Sequence, residues 1–220
     1  MNEVGVYEAM RSLRAVRKLR PDPVPTEVLN RVLEAATWAP TGANTQPWRV
    51  VVVKAAAPKK QLGELYARGW KRYSDGHRAH LSEMPEDIRP AQERILAAGD
   101  YLADHFGESP VLAVFCFNPK MMAITDIKLD RVSVVGGGSI YPAVENLLLA
   151  CRAEGLGCTL TTLLCGYEDR VKEILGIPSD WGTACTIPIG YPVGTGHGPI
   201  TRKPIEKLAF LDRWKNTYSD

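Results

Sequence analysis

Two arginines near the start of the chain are of a type and spacing that could bind an anion. Arg14 and Arg17 lie three residues apart in the segment Leu13-Arg14-Ala15-Val16-Arg17. A guanidinium group donates several hydrogen bonds in a fixed geometry that suits an anionic ligand. Arginines are also usually exposed, and the pair equally fits a solvated basic face of a helix. The residues alone leave both interpretations open.

A second group of polar residues lies in the loop Pro40-Thr41-Gly42-Ala43-Asn44-Thr45-Gln46-Pro47-Trp48. The amides of Asn44 and Gln46 offer hydrogen-bond donors and acceptors to a polar ligand. Gly42 has no side chain and allows a ligand to approach the backbone closely. These residue types are also common in turns, so the alternative is a turn that leads into a strand, with Trp48 in the core.

Two other patterns suggest chemistry that the sequence does not support. Cys165, in Leu164-Cys165-Gly166, has no adjacent histidine to lower its pKa, so we do not predict a redox thiol. His77 and His80 have the spacing of two metal ligands on one helix turn, but no third ligand lies nearby. We therefore predict no metal site and no catalytic side chain of these types.

The elements that must position these residues alternate between helices and strands, which indicates an α/β layered domain. Apolar residues at helical spacing predict helices over 6–19, 26–39, 59–70, 91–106, 142–151 and 168–175. Apolar runs predict strands over 49–54, 111–117, 158–163 and 184–189, the first of them buried on both faces. Three glycines at 136–138 precede a helix without a phosphate-loop motif, which favours close packing over nucleotide binding.

Residues 71–90 and 191–220 differ from the rest of the chain. The first segment is polar and irregular, which predicts a mobile lid. The second is rich in glycine and proline but carries Leu208, Phe210, Leu211 and Trp214. Because such a tail cannot bury these side chains alone, we expect an arm that packs on a partner subunit.

Length and composition exclude several classes of protein. The 220 residues predict a single domain over 1–220, and 27 Lys and Arg against 25 Asp and Glu provide no case for nucleic-acid binding. No apolar run approaches the roughly 18 residues of a membrane span, and the N-terminus lacks the apolar region of a signal peptide. Five cysteines without a C-x-x-C pair predict mostly buried thiols in a cytoplasmic protein.

Together, these patterns resemble the FMN-dependent nitroreductase family. Four features carry the resemblance through their order along the chain and the number of residues between them. They are Arg14 to Arg17, Pro40 to Trp48, Leu164 to Gly166, and Arg202-Lys203-Pro204. The helix beginning Pro142-Ala143-Val144 is similar to the family's central helix, and the likeness extends from about Met10 to Pro204. It implies a three-layer α/β fold (α+β in some schemes) with a central mixed sheet between helices, in an intertwined homodimer.

The resemblance also implies a cofactor and the residues that hold it. Arg14 and Arg202 would bind the FMN phosphate, and Arg17 would lie near the N1 and O2 edge of the flavin. The loop from Thr41 to Asn44 would line the ring bound by the other subunit, and a backbone N–H of the 164–166 segment would face N5. The complete expected set is Arg14, Ala15, Arg17, Pro40, Thr41, Gly42, Ala43, Asn44, Gln46, Leu164, Cys165, Gly166 and Arg202.

The implied function is reduction of a small planar acceptor, such as a nitroaromatic compound or a quinone. NADH or NADPH would give hydride to flavin N5 and leave before the acceptor binds, in a ping-pong reaction. Many members have Arg-Arg-Ser where this chain has Leu13-Arg14-Ala15, which removes one guanidinium and one hydroxyl group; Lys203 is an additional cation. Alternatives are a flavin carrier or sensor without turnover, reductive dehalogenation, and flavin fragmentation.

Overall fold

A four-stranded sheet lies between two layers of helices in the computed structural model, which describes residues 4–218. Residues 1–3 and 219–220 of the predicted domain and arm lie outside the described residues. The helices are α1 (Val6–Ser12), α2 (Thr26–Thr37), α3 (Ala56–Ala79), α4 (Arg89–His105), α5 (Tyr141–Ala153) and α6 (Glu168–Leu175). The strands are β1 (Trp48–Val53), β2 (Val111–Phe117), β3 (Gly157–Cys158) and β4 (Gly182–Gly190).

The sheet has the order β1-β2-β4-β3, and each of its three pairings is antiparallel. The α/β fold class is as expected, but these pairings differ from the predicted mixed sheet. Strand β4 is buried at all nine positions because it lies between two neighbours and two helical layers. Strand β1 is at the edge, and Val53 is its one buried residue, so the prediction of burial on both faces was wrong.

Alternate side chains of β2 form the two halves of the core, as expected for successive residues of a strand. Val111, Ala113 and Phe115 pack with buried residues of α2 and α5, including Leu29, Val32, Val144 and Leu147. Leu112, Val114 and Cys116 pack on the opposite face with residues of α3, α4 and α6, including Leu62, Leu102 and Val171. This alternation produces the three layers.

The predicted helix over 6–19 ends at Ser12, and residues from Leu13 onward are extended. In this extended segment the N–H of Val16 donates to Cys158 O (2.8 Å) and that of Arg20 donates to Tyr191 O (2.8 Å). Val16 is buried against Gly157, where an added Cβ would lie 2.6 Å from Val16 Cγ1. Tertiary contacts therefore override the helical spacing, and Arg14 and Arg17 do not form a helical stripe.

Residues 71–90 are more ordered than an irregular loop. Helix α3 continues to Ala79, a short 3-10 turn covers Leu81–Glu83, and α4 begins at Arg89. The extension of α3 is held to α4 because Trp70 Nε1–H and the Arg78 guanidinium both donate to Asp100 (2.7 and 2.6 Å). The first half of the predicted loop is thus helix. None of the helices within 4–218 is long and apolar enough to cross a membrane.

Candidate functional site

The first and last parts of the chain run side by side. Two of the predicted phosphate ligands, Arg14 and Arg202, belong to these two parts. The N–H of Gly198 donates to Ser12 O (3.0 Å), and the N–H of Val193 donates to Lys18 O (3.0 Å). Arg202 follows four residues after Gly198, so at most about 14 Å of chain separates it from the Ser12 contact. The structure therefore brings Arg202 to the end of the molecule that carries Arg14.

His197 holds the backbone of Arg14 and was not predicted from the sequence. Its Nδ1 accepts from the N–H of Arg14 (3.4 Å), and its Nε2–H donates to Leu156 O (2.7 Å), an arrangement that requires the neutral ring. Burial lowers the pKa of His197, and the cations Arg152 and Arg14 lower it further, whereas the hydrogen bond to Leu156 raises it. The only signal in the sequence was its position between two glycines.

Arg17 is half-buried, and its guanidinium forms no ion pair with any residue of 4–218. It lines a cavity of about 220 Å³. The other lining residues are Tyr66, Trp70, Tyr73, Leu102 and Thr159 to Leu163. Burial raises the pKa of Tyr66, whereas Thr161 and the Arg17 cation lower it. The unpaired charge of Arg17 can therefore meet an anionic or electron-rich group in this cavity.

The predicted segment Leu164-Cys165-Gly166 lies in a 3-10 helix over Leu163–Tyr167. The N–H of Leu163 donates to Thr161 Oγ1 (3.4 Å), and the N–H of Cys165 donates to Thr162 O (3.0 Å). The N–H of Leu164 has no acceptor within the described chain, although Leu164 is only 1% exposed. Buried donors are almost always paired, so an N–H without a partner at this position is unusual.

The thiol of Cys165 is not activated. Its Sγ–H lies 3.3 Å from both Thr183 O and Ala184 O, and burial raises its pKa. Burial also raises the pKa of Cys116 to about 11 and that of Cys185 to about 12. These thiols therefore stay protonated at neutral pH.

The loop from Thr41 to Gln46 is tied to its own residues and to the turn before α5. The N–H of Gln46 donates to Thr41 Oγ1 (3.0 Å), and its Nε2 donates to Asn44 Oδ1 (3.1 Å). Ala43, Asn44 and Gln46 have left-handed φ angles of 50°, 54° and 46°, a conformation that costs free energy for residues other than glycine. All residues from Gly42 to Gln46 are exposed, as is Pro40.

The predicted site residues fall into two sets at opposite ends of α5. At one end, the N–H of Gly42 donates to Ser139 Oγ (3.1 Å), two residues before the helix begins. At the other end, Arg152 Nε donates to Ser12 Oγ (2.9 Å), next to Arg14. Thirteen helical residues separate these contacts by about 20 Å. One subunit therefore does not bring the Gly42 loop to Arg14.

Two of the three glycines before α5 serve packing, as predicted, whereas an added Cβ at Gly138 would meet nothing within 4 Å. An added Cβ at Gly136 would lie 2.9 Å from Met122, and one at Gly137 would lie 2.9 Å from Tyr141. Elsewhere, His77 Nδ1 bonds to Tyr73 O (3.0 Å) within α3, and no three side chains of residues 4–218 form a metal-binding cluster.

Comparisons with known proteins agree on one family. The family model described as Nitroreductase family matches residues 10–191. A protein named NADH dehydrogenase from Thermus thermophilus is 31% identical over 205 residues, covering 89% of this chain and 90% of the relative. Iodotyrosine deiodinase from Nematostella vectensis is 26% identical over 209 residues, 93% of this chain and 74% of the relative.

A solved structure has the same fold. The crystal structure of an oxidized iodotyrosine deiodinase bound to FMN and 3-iodo-L-tyrosine matches with a TM-score of 0.66, covering 96% of this chain and 100% of that chain. The sequence identity is 21%, so this likeness concerns the fold alone.

Proposed function

The chain belongs to the nitroreductase family, and from this premise we propose that it is an FMN-dependent oxidoreductase. NADH or NADPH would be the electron donor, and a planar compound such as a nitroaromatic or a quinone the acceptor. Bound FMN would supply the centre that takes hydride from the nicotinamide and returns two electrons in a ping-pong cycle. The residues of the chain bind, orient and shield the reactants, and no side chain is assigned a bond-making role.

One juxtaposition carries this proposal. The segment from Thr159 to Leu163 lines the same cavity as Arg17 and leads directly into the buried, unpaired N–H of Leu164. A flavin ring needs a donor at N5 and a positive charge near N1 and O2, where negative charge develops on reduction. Arg17 and the Leu164 N–H are donors of these two kinds and have no other partner within the described chain.

The phosphate end of the cofactor fits two further arginines, one near the start of the chain and one near its end. Arg14 and Arg202 have no carboxylate partner among residues 4–218 and are suited to a phosphate dianion. His197 holds the backbone of Arg14, and Gly198 lies beside the Arg14 side chain, where an added Cβ would make an ordinary contact at 3.6 Å. Lys203 adds a cation where Leu13 and Ala15 provide neither charge nor hydroxyl.

The same geometry supports a homodimer. A two-fold partner packed along α5 in the opposite direction would bring its Gly42 loop to the Arg14 end, about 20 Å away in its own subunit. The C-terminal arm supports this arrangement because its large apolar side chains lack cover in one subunit. Leu208 is 64% exposed, Leu211 50% and Trp214 80%.

The absorption spectrum of the purified protein tests the proposal. We expect flavin bands that bleach on anaerobic addition of NADPH or NADH and return when 1,4-benzoquinone is added. Bands that neither donor bleaches would identify a carrier or a sensor in place of a reductase. A colourless protein that does not take up added FMN would refute the proposal.

Reductive dehalogenation is the second candidate. The Nematostella vectensis relative is named a deiodinase, and a solved structure of the same fold holds 3-iodo-L-tyrosine together with FMN. Iodide release from 3-iodo-L-tyrosine, with dithionite as the reductant, tests this reaction directly. No iodide release from a protein that reduces quinones would leave the first candidate alone.

A further inference from the structure

Strand β4 carries a β-bulge near its first residues. From the far end of the strands to Phe115 and Cys185, the residues of β2 and β4 pair one to one. The next residue of β2, Cys116, pairs with Thr183, so Ala184 is an extra residue in β4. A bulge disrupts the hydrogen bonds of the ladder locally, and bulges are frequent next to functional sites.

On its other side, β4 loses its neighbouring strand at the same place. The N–H of Thr161 donates to Thr186 O (3.0 Å), and the N–H of Thr186 donates to Thr161 O (2.8 Å). After Thr161 the chain leaves the extended conformation and forms the 3-10 helix over Leu163–Tyr167. Within residues 4–218, no strand pairs with Thr183 and Ala184 on this side, although both residues are buried. Their backbone groups therefore need other partners.

Side chains take the place of the missing strand. The Glu168 carboxylate accepts from the Thr183 N–H (2.6 Å) and from the Thr183 hydroxyl (3.1 Å). The Cys165 Sγ–H lies 3.3 Å from both Thr183 O and Ala184 O. The Tyr141 hydroxyl also donates to Ala184 O (3.4 Å). The backbone groups beside the bulge are thus paired with side chains, and two of these side chains belong to the 3-10 helix and the residue after it.

The Glu168 carboxylate makes the strongest of these contacts. A hydrogen bond to a charged acceptor is about twice as strong as a neutral one, and a thiol is a weak donor. Glu168 is the first residue of α6 and follows the 3-10 helix directly, so its two bonds hold the end of that helix on β4. On the same helix, Glu173 is exposed and pairs with Arg170. It therefore provides a matched control for Glu168.

We propose that Glu168 is a positioning residue for the Leu164 N–H, which lies four residues before it in the chain. The inference rests on the proposed function in one respect: flavin N5 is the acceptor for this N–H, which has no acceptor within the described chain. Glu168 acts through the reach of its side chain to Thr183. Its carboxylate replaces the missing strand and keeps the 3-10 helix, with the Leu164 N–H, from moving away from β4.

Two substitutions separate the reach of the Glu168 side chain from its charge. Glu168→Gln keeps an oxygen acceptor at the same distance without the charge, and Glu168→Asp keeps the charge on a side chain that is one methylene shorter. Hydrogen exchange in the peptide that contains Leu163–Tyr167, followed by mass spectrometry, measures how often this segment opens. We expect exchange about tenfold faster than wild type in Glu168→Asp and within about threefold of wild type in Glu168→Gln. Exchange in Glu168→Asp no faster than in Glu168→Gln would overturn the proposal.

A pair of flavins tests whether the 3-10 helix positions a donor at N5. In 5-deaza-FMN a C–H group replaces N5 and accepts no hydrogen bond. A neutral hydrogen bond changes affinity by about 2- to 12-fold, so wild type and Glu168→Gln should bind FMN about fivefold more tightly than 5-deaza-FMN. In Glu168→Asp the two flavins should bind about equally. A ratio of about one in wild type, or an unchanged ratio in Glu168→Asp, would refute the link between Glu168 and the Leu164 N–H.

Two further variants of α6 distinguish positioning from general stability. Val171→Ala leaves a cavity in the core beneath α6 and should lower the Tm without changing the ratio of the two flavin affinities. Glu173→Asp shortens the exposed carboxylate that pairs with Arg170 and should change neither the exchange rate nor the ratio. A ratio that falls as far in Val171→Ala as in Glu168→Asp would mean that Glu168 acts through stability alone, against the proposal.

The binding of FMN itself separates this inference from the proposed function. A protein that binds FMN and bleaches with NADPH, but whose two Glu168 variants exchange at equal rates, would contradict the role of Glu168 and leave the proposed function intact. A protein that binds neither flavin, but shows the expected difference in exchange, would contradict the proposed function and the N5 assignment, although Glu168 would still hold the 3-10 helix on β4.

Discussion

The two sets of predicted cofactor ligands differ in how completely one subunit supports them. The segment from Leu13 to Arg20 is held by backbone hydrogen bonds to Cys158 and Tyr191, and His197 holds Arg14. The loop from Thr41 to Gln46 is exposed along almost its whole length, and three of its residues have left-handed backbone. Its hydrogen bonds run mainly within the loop, apart from the one to Ser139.

In the proposed homodimer, the first set would be preorganised within one subunit and the second would be completed by the partner subunit. Left-handed residues other than glycine cost about 1–2 kcal/mol each and persist when the surroundings fix them. Such strain points to a function for the loop, since a purely structural turn would place glycine at these positions. In the proposed homodimer, a cofactor held between the subunits would supply the missing surroundings.

The largest effect is expected from mixing two defective subunits. Arg14→Ala damages the first set, and Gly42→Trp blocks the second with a bulky side chain on an exposed loop. Each homodimer should retain almost no FMN. In a random mixture half the dimers contain one subunit of each type, and each such dimer has one intact site. FMN content, measured by absorbance, should therefore return to about a quarter of the wild-type value.

A double variant that carries both changes on one chain provides the control. When the double variant Arg14→Ala/Gly42→Trp is mixed with wild type, every site of a mixed dimer has one damaged half. FMN content should then be about a quarter of the wild-type value, from the wild-type homodimers alone. A site built within one subunit predicts no recovery in the first mixture and about half the wild-type content in the second.

A smaller effect is expected when Arg14 alone is changed. Arg14→Ala removes a charged donor to the phosphate, and such bonds contribute about 1.5–3 kcal/mol, so the Kd for FMN should rise by about 10- to 150-fold. Arg11→Ala is the matched control because Arg11 pairs with Glu8 on the exposed side of α1. We expect no change in its Kd. Equal losses in both variants would mean that general positive charge, and not Arg14, retains the cofactor.

His197 makes the stability of the protein around the first set depend on pH, whereas the loop from Thr41 to Gln46 contains no such residue. Its pKa is lowered in the fold, so the neutral ring stabilises the protein above the ordinary value of 6.5. This stability is lost as the pH falls from 6.5 through the lowered value, where the unfolded chain binds a proton first. His197→Asn should lower the Tm by a few degrees at pH 8, and the difference from wild type should narrow at pH 5. A constant difference at both pH values would contradict this assignment.

Segments whose structure follows from local pattern were predicted well from the sequence. The bounds of β2 (Val111–Phe117) and α6 (Glu168–Leu175) agree with the predictions because a buried apolar run and a strong helical spacing define them. The extended backbone after Ser12 was missed, since pairing with residues near 158 and 191 decides it. The extension of α3 was missed for a similar reason, because Asp100 of another helix holds it.

The candidate site also contains some residues that were predicted from the sequence and others that were missed. Arg14, Arg17 and the Asn44 loop were identified through the resemblance to a known family, and their roles at a cofactor remain proposals. His197 was missed because its contact with Arg14 joins residues 183 positions apart. The walls of the cavities beside Arg17 were missed because they come from two helices and three other segments that lie far apart in the sequence. No pattern in the sequence indicates which of these side chains face each other.

The smallest expected effect concerns backbone strain at Ala43, which no residue pattern revealed. Ala43 has a φ angle of 50° on an exposed loop, so Ala43→Gly should relieve strain and stabilise the subunit by up to about 1 kcal/mol. The same change at Ala97, exposed in the middle of α4, should destabilise by about 0.5–1 kcal/mol. For a chain of this length these changes shift the Tm by about 2–4 °C, in opposite directions. Two shifts of the same sign would mean that the loop is not strained, and the contrast between the two sets of ligands would then rest on exposure alone.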